Sequence, residues 1–247
     1  MSKISVNNLS IKFHIYHDRS PSLKDYISGF FKSQKKSGFS DFFAVKNVSF
    51  DIKQGERVGI VGRNGAGKST LLKALCRIYE PSTGHVSVSG RVAPLLEIGA
   101  GFHPEFTGRE NIYLNGTILG YSKDQLKILE PEIIAFAELE DFIDTPVKYY
   151  STGMYLRLAF SLATAVQPEV LILDEMFAGG DAGFVQKATD RMKHIVDQSK
   201  IMVLVSHNPI LLRTFCNRVI WMDHGQIKED GESNIVIDHY LQSGKNK

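Results

Sequence analysis

The chain has 247 residues, 43% of them hydrophobic and 23% charged, with 21 Gly and 8 Pro; values so near the globular average exclude disorder, collagen-like repeats and a disulfide scaffold, and the length can bury an ample core. A formal net charge of +2 leaves no electrostatic footprint for nucleic acid or for a polybasic membrane surface. The two cysteines, Cys76 and Cys216, stand far apart without paired spacing, and so indicate thiols buried in helices of a reducing compartment rather than a bridge or a zinc site.

In chain order, residues 4–6 and 44–52 read as strands. Between them, 14–43 stands apart as an insert. Within it Leu23, Tyr26, Ile27, Phe30 and Phe31 recur at helical spacing behind Ser20 and Pro21, one apolar face of a helix with a cap and an early proline. Residues 57–61 form a short apolar strand that runs into a Gly-rich turn, and a helix follows from 69 to about 78. The period then turns helical over 110–119, 123–137 and 155–166, a helical lobe inserted at about 105–166 between two strands of a core sheet. Residues 170–173 and 201–205 are continuous apolar runs, the pattern of strands buried on both faces. A hairpin, 218–222 and 227–229 around a turn at 223–226, precedes a last helix from 232 to about 241. Strands alternating with helices define an α/β chain with a largely parallel sheet.

The longest apolar stretch, 156–166, contains Arg157 and stops at Gln167-Pro168, short of the ~20 residues that a spanning helix needs. The first residues hold no h-region or small-residue cleavage site. The expected location is cytoplasmic, with any membrane role peripheral.

Chemistry concentrates at three places. Gly62-Arg63-Asn64-Gly65-Ala66-Gly67-Lys68-Ser69-Thr70 fits G-x-x-x-x-G-K-[ST] between an apolar strand and a helix. There, backbone N–H groups converge on phosphate oxygens, Lys68 supplies a charge for the β- and γ-phosphates, and the Ser69 hydroxyl ligates Mg²⁺. Asp174 and Glu175 end an apolar strand, the place for a carboxylate holding Mg²⁺ and for a general base on the attacking water. Tyr150-Ser151-Thr152-Gly153-Met154 opens a helix with Ser151 as its cap.

The last motif, ahead of Asp174, resembles the signature of ABC ATPases, L-S-G-G-Q; Ser151 and Gly153 are kept, whereas Tyr150, Thr152 and Met154 depart from it. Ala178-Gly179-Gly180-Asp181 resembles the D-loop, with Asp181 as its acid, and Val205-Ser206-His207-Asn208 resembles the segment of the switch histidine. Over essentially the whole chain the resemblance narrows to the nucleotide-binding subunits of polysaccharide and O-antigen exporters. It is carried by 62–70, by the phrase from Val92-Ala93-Pro94-Leu95 through Gly108-Arg109-Glu110-Asn111-Ile112, and by 150–160.

The resemblance implies a single ABC-type domain over 1–247, with a RecA-like core, an antiparallel β subdomain and the inserted helical lobe. It implies ATP hydrolysis with Mg²⁺ held by Ser69 and Asp174, Glu175 as base and His207 as switch. The phosphates would lie on Gly62, Asn64, Gly65, Ala66, Gly67, Lys68, Ser69 and Thr70, and Ser151, Thr152 and Gly153 would act in trans across a homodimer. Adenine would stack on Phe13 or Tyr16. Where ABC enzymes carry a Gln at the entry to the lobe, this chain offers Glu97, either a competitor for metal or a solvated acid. Family partners are integral membrane permease subunits that move a lipid-linked polysaccharide, with the ATPase at the cytoplasmic face of the inner membrane. The insert helix would either pack on its own domain or sit beside the transporter's mouth. Relatives with a C-terminal carbohydrate-binding domain are longer, and this chain is expected to lack one. O-antigen is the first expected cargo. Alternatives are capsule, teichoic acid or another transported substrate, or an ABC ATPase acting on nucleic acid or ribosomes, for which the chain shows no basic face or coiled-coil arm.

Overall fold

A computed structural model describes residues 2–16, 39–95, 98–174 and 182–245. The elements run β1 (Lys3–Tyr16), β2 (Phe39–Lys53), β3 (Arg57–Val61), α1 (Lys68–Leu75), β4 (Thr83–Ser89), β5 (Val92–Leu95), α2 (Gly108–Ile118), α3 (Lys123–Ala137), α4 (Thr152–Ala163), β6 (Val170–Asp174), α5 (Ala182–Gln198), β7 (Ile201–Val205), α6 (Pro209–Phe215), β8 (Arg218–Asp223), β9 (Gln226–Glu232) and α7 (Ser233–Lys245).

The three apolar runs become the middle of a six-stranded sheet of order β5-β6-β7-β3-β8-β9, parallel except for β9. Every residue of β7 is buried, as a strand covered on both faces requires. Each such Ile, Leu or Val contributes about 1.5–3 kcal/mol by leaving water. One face packs, with α1, against a three-stranded antiparallel sheet, β2-β1-β4. The other carries α5, α6 and α7, where Phe184, Met192, Leu212 and Ile237 join Leu171 and Leu204.

The helical lobe enters between β5 and β6, which are neighbours in the sheet, and α2, α3 and α4 close a core of their own around Ile112, Leu126, Ile133 and Leu158. Capping boxes start α2 (Thr107 with Glu110) and α3 (Ser122 with Gln125), satisfying N–H groups that the helices leave open.

The sequence reading is corrected at several borders. The strands read at 4–6 and 44–52 are parts of a much longer ribbon, paired out to Tyr16 and Phe39. Residues 14–16 and 39–43, read as insert, are therefore strand. The expected helix at 20–31 lies outside the described residues. The first helix ends at Leu75 rather than near 78, because Arg77 turns left-handed at φ 59°. The signature helix runs Thr152–Ala163 rather than 155–166; Ser151 caps it as read, and the helix begins three residues before its apolar period. In the last helix Glu232 is a cap, accepting the N–H groups of Asn234 and Ile235. Strands β4 and β5 and helices α5 and α6 are additions to the reading. Among the described residues no helix is long and apolar enough to cross a membrane.

Candidate functional site

Strand register brings the predicted chemistry together. Ile60 of β3 pairs with Val205 of β7, and Val205 pairs with Asp174 of β6. The segments that follow these three residues therefore leave the sheet at one level, at its carboxyl edge, where ligands of parallel α/β sheets bind. A cleft of about 280 Å³ opens there, walled by Asn64 to Thr70, Asp174, Val205 and His207.

The loop before α1 is held by backbone. Ala66 donates its N–H to the Arg63 carbonyl at 3.1 Å, and the Ala66 carbonyl accepts the N–H of Gly225, in the β8–β9 turn, at 3.1 Å. The Gly225 carbonyl in turn accepts the N–H of Lys46 at 2.8 Å. At Gly67, φ is +96° and a Cβ would collide with the Ala44 carbonyl oxygen, so only glycine fits. Gly67 caps α1 without a side chain, which leaves the first N–H groups of the helix to a ligand. Lys68, buried, donates from Nζ to the carbonyls of Gly62 at 2.8 Å and Arg63 at 3.1 Å.

His207 is placed by a tight turn. The buried Ser206 accepts the Asn208 N–H at 3.1 Å, and Asn208 Oδ1 accepts that of Ile210 at 2.9 Å to cap α6. Glu175, Asp181 and Glu97 lie outside the described residues. Phe13 sits on β1, part exposed, with its ring edge-on to Tyr79 at 5.5 Å; Tyr16 ends the same strand opposite Phe39.

Ser151, Thr152 and Gly153 are not part of the cleft wall. They form the first turn of α4, in the lobe, where Ser151 Oγ accepts the Met154 N–H at 3.2 Å and a Cβ on Gly153 would meet little. Two tyrosines flank that turn. Tyr150 donates its hydroxyl to the Phe142 carbonyl at 2.8 Å, and Tyr155 donates to the Gly99 carbonyl at 2.7 Å. Burial pushes both phenols above their ordinary range, so they remain neutral donors. Cys76, half-buried, and Cys216, buried, are pushed up to about 12 by burial, and carry no nucleophile.

Sequence reasoning missed the polar residues that shape this region. Asn111, fully buried, accepts the His103 N–H and donates to the carbonyls of His103, Phe106 and Thr107. Asn115 donates to the Ala100 carbonyl at 3.0 Å. Two asparagines at i and i+4 on a helix after a Gly-rich segment are the signal that was available.

The model of the family described as ABC transporter matches residues 45–178. An O-antigen export system ATP-binding protein of Myxococcus xanthus is 45% identical over 200 residues, 81% of this chain and 46% of that protein. A Klebsiella pneumoniae protein of the same description is 37% identical over 240 residues, 97% of this chain and 98% of its own length. A teichoic acids export ATP-binding protein of Bacillus anthracis is 37% identical over 238 residues, 96% of this chain and 42% of that protein. Among solved structures, a dimeric ATP-binding cassette in a post-hydrolysis state with ADP and Pi superposes with a TM-score of 0.66 over 93% of this chain and 98% of its own, at 21% identity.

Proposed function

This chain belongs to the ABC transporter family, and from that premise we propose that it is the ATP-hydrolysing subunit that energises export of a lipid-linked surface polysaccharide, O-antigen, through a partner membrane subunit. The observation that carries the reading is the single cleft in which the 64–70 loop, Asp174 and His207 meet. The cargo rests on the relatives, whose export descriptions extend over nearly the whole chain. Teichoic acid is the second reading, supported by the Bacillus anthracis relative.

In this reading ATP lays its phosphates on the N–H groups of 64–70 and on the first turn of α1, and Lys68 trades two carbonyls for phosphate oxygens. The hydroxyl of Ser69 and the carboxylate of Asp174, which share the cleft, would hold Mg²⁺, and the ion would neutralise charge on the β- and γ-phosphates. Glu175, next in the chain, accepts the proton of the attacking water. His207, from the neighbouring strand end, faces the same cleft and takes the switch role. The exposed first turn of α4 presents Ser151 and Gly153 to the nucleotide of a second copy, so the working unit is a homodimer. Phe13 or Tyr16 stacks on adenine.

For the membrane partner, an apolar groove of about 210 Å³ lies between core and lobe, walled by Pro94, Phe102, Leu119 and Leu162, with Ile78 and Ile118 exposed at its rim. A permease helix seated there would hold the subunit at the cytoplasmic face of the inner membrane. Glu175→Gln should keep ATP binding and cut hydrolysis about 10²–10⁴-fold, the worth of a positioned base. A cell whose only copy is this variant should accumulate lipid-linked polymer at the inner face. Polymer reaching the surface at the normal rate would refute the reading.

A further inference from the structure

We propose that Tyr155 is a positioning residue for hydrolysis, its hydroxyl locking the helix that carries Ser151 and Gly153 to the segment by which the chain leaves β5. The inference deepens the proposed function and rests on it.

Among the described residues, Ile98 packs against the apolar cluster of the core sheet, and the side-chain hydrogen bonds that hold the rest of the segment to 107 come from the lobe. Tyr155 reaches the Gly99 carbonyl from α4, Asn115 reaches Ala100 from α2, and Asn111 gathers His103, Phe106 and Thr107. The Tyr155 ring also packs edge-on to Phe102 at 5.2 Å. Gly99 stands at φ +86°, and a Cβ there would press on the Tyr155 ring, so residue 99 is fitted to this tyrosine.

At its other end Tyr155 is one turn from the signature, and its N–H donates to the Ser151 carbonyl at 3.0 Å. On the sheet side, Leu95, the last residue of β5, pairs with Leu173, next to Asp174. The hydroxyl therefore sits between the part of the lobe that meets a partner's nucleotide and the strand exit beside the chain's own metal carboxylate. Movement of the α4 N-terminus on closure is delivered to residues 98–102 through this bond, which is directional where the ring contacts with Gly99 and Phe102 are not.

The test is steady-state ATPase kinetics of the full-length chain with its membrane partner, wild type beside Tyr155→Phe, which keeps the ring and removes the hydroxyl. We expect KM for ATP within twofold and kcat lower by about tenfold, the worth of one hydrogen bond made in the working state. Asn115→Ala, which cuts the neighbouring anchor, should move kcat in the same direction, and the double variant should lose less than the product of the two. Unchanged kcat in Tyr155→Phe, whether or not the unfolding temperature falls, would make the bond ordinary packing and overturn the proposal. A raised KM at normal kcat would overturn it as well. A wild-type chain without ATPase activity would instead sink the proposed function.

Discussion

Lys68 offers the most quantitative test of the phosphate site. Its ammonium is buried and already holds the carbonyls of Gly62 and Arg63 at 2.8 and 3.1 Å, so phosphate oxygens compete with acceptors already in place. Hydrogen bonds to a charged group contribute about 1.5–3 kcal/mol each, and those to an anionic oxygen are stronger than those to a carbonyl. Lys68→Met keeps the apolar stem and removes the charge. Losing one to two such bonds to phosphate, about 2–4 kcal/mol, corresponds to a weakening of ATP binding by about 30- to 700-fold. The buried Gly62 carbonyl loses its donor, which costs about 1–3 kcal/mol, so the unfolding temperature should fall by several degrees. The assay is equilibrium titration of the full chain with ATP and Mg²⁺, beside a thermal melt of the same sample. An affinity within threefold of wild type, in a sample that the melt shows to be folded at the titration temperature, would refute the assignment of Lys68 to the phosphates.

Asn111→Ala strips four hydrogen bonds from a fully buried side chain and should lower urea stability by about 2–4 kcal/mol; a loss below the error of the denaturation curve would contradict its clamp role. Glu169 accepts from Lys200 and Ser2, which lowers its carboxyl from 4.5 to about 2. A depressed folded value adds stability that is complete above the unfolded value and is lost as pH falls towards 2, so the melt of wild type should drop more between those pH values than that of Glu169→Gln, and parallel curves would deny the link. Deleting residues 20–38 leaves 17–19 between Tyr16 and Phe39, which pair as the last rung of the ribbon, and three-residue connections suit a hairpin. ATP affinity should stay within twofold while glycan export fails; export at the normal rate would reduce the insert to a dispensable segment.

The meeting of the 64–70 loop, Asp174 and His207 was legible because these segments are contiguous and each follows a strand of uniform apolar residues, so the chain itself marks the sheet edge on which they fall. Other parts were obscured by physics that a linear pattern does not hold. Beyond Ile11 and Ala44 the described side chains of the β1–β2 ribbon, residues 12–14 and 40–43, offer no buried face to create alternation: Phe42 and Phe43 are exposed, and Lys12 and His14 are satisfied across the strands by Asp41. Strand β4 is largely polar, and only Val88 is buried; its strand character comes from pairing with β1. Helix α6 spans seven residues, too few for a period, whereas α5 carries a readable stripe of Phe184, Ala188, Met192, Ile195 and Val196. Asn111 and Asn115 look, in sequence, like the solvated side of α2. Only the packing of the 98–107 segment turns that side inward.

The two halves of the site differ in how firmly they are built, and the difference matches the proposed work. The phosphate loop is tied through Ala66, Gly225 and Lys46 to the β8–β9 turn and to β2, in backbone bonds beside the main core, so nucleotide meets donors that are already arranged. The signature turn stands on a lobe with a separate core. Its ties to α5 are a buried aromatic contact, Phe184 edge-on to Phe160 and Phe136 at 5.8 Å, and surface ion pairs, Arg191 with Glu132 and Lys187 with Glu138, whose two cations flank the ring of Phe136. Exposed pairs of this kind contribute about 0–1 kcal/mol each, and a cation on an aromatic face near solvent contributes about 0.5–1 kcal/mol. In the proposed homodimer, closing a second copy onto ATP would add charge-assisted bonds between the signature turn and phosphate. A lobe that meets α5 through the Phe184 contact and a few surface pairs can pivot about that contact when nucleotide binds and return when phosphate leaves, while the 62–70 loop, tied into the main core, stays in place.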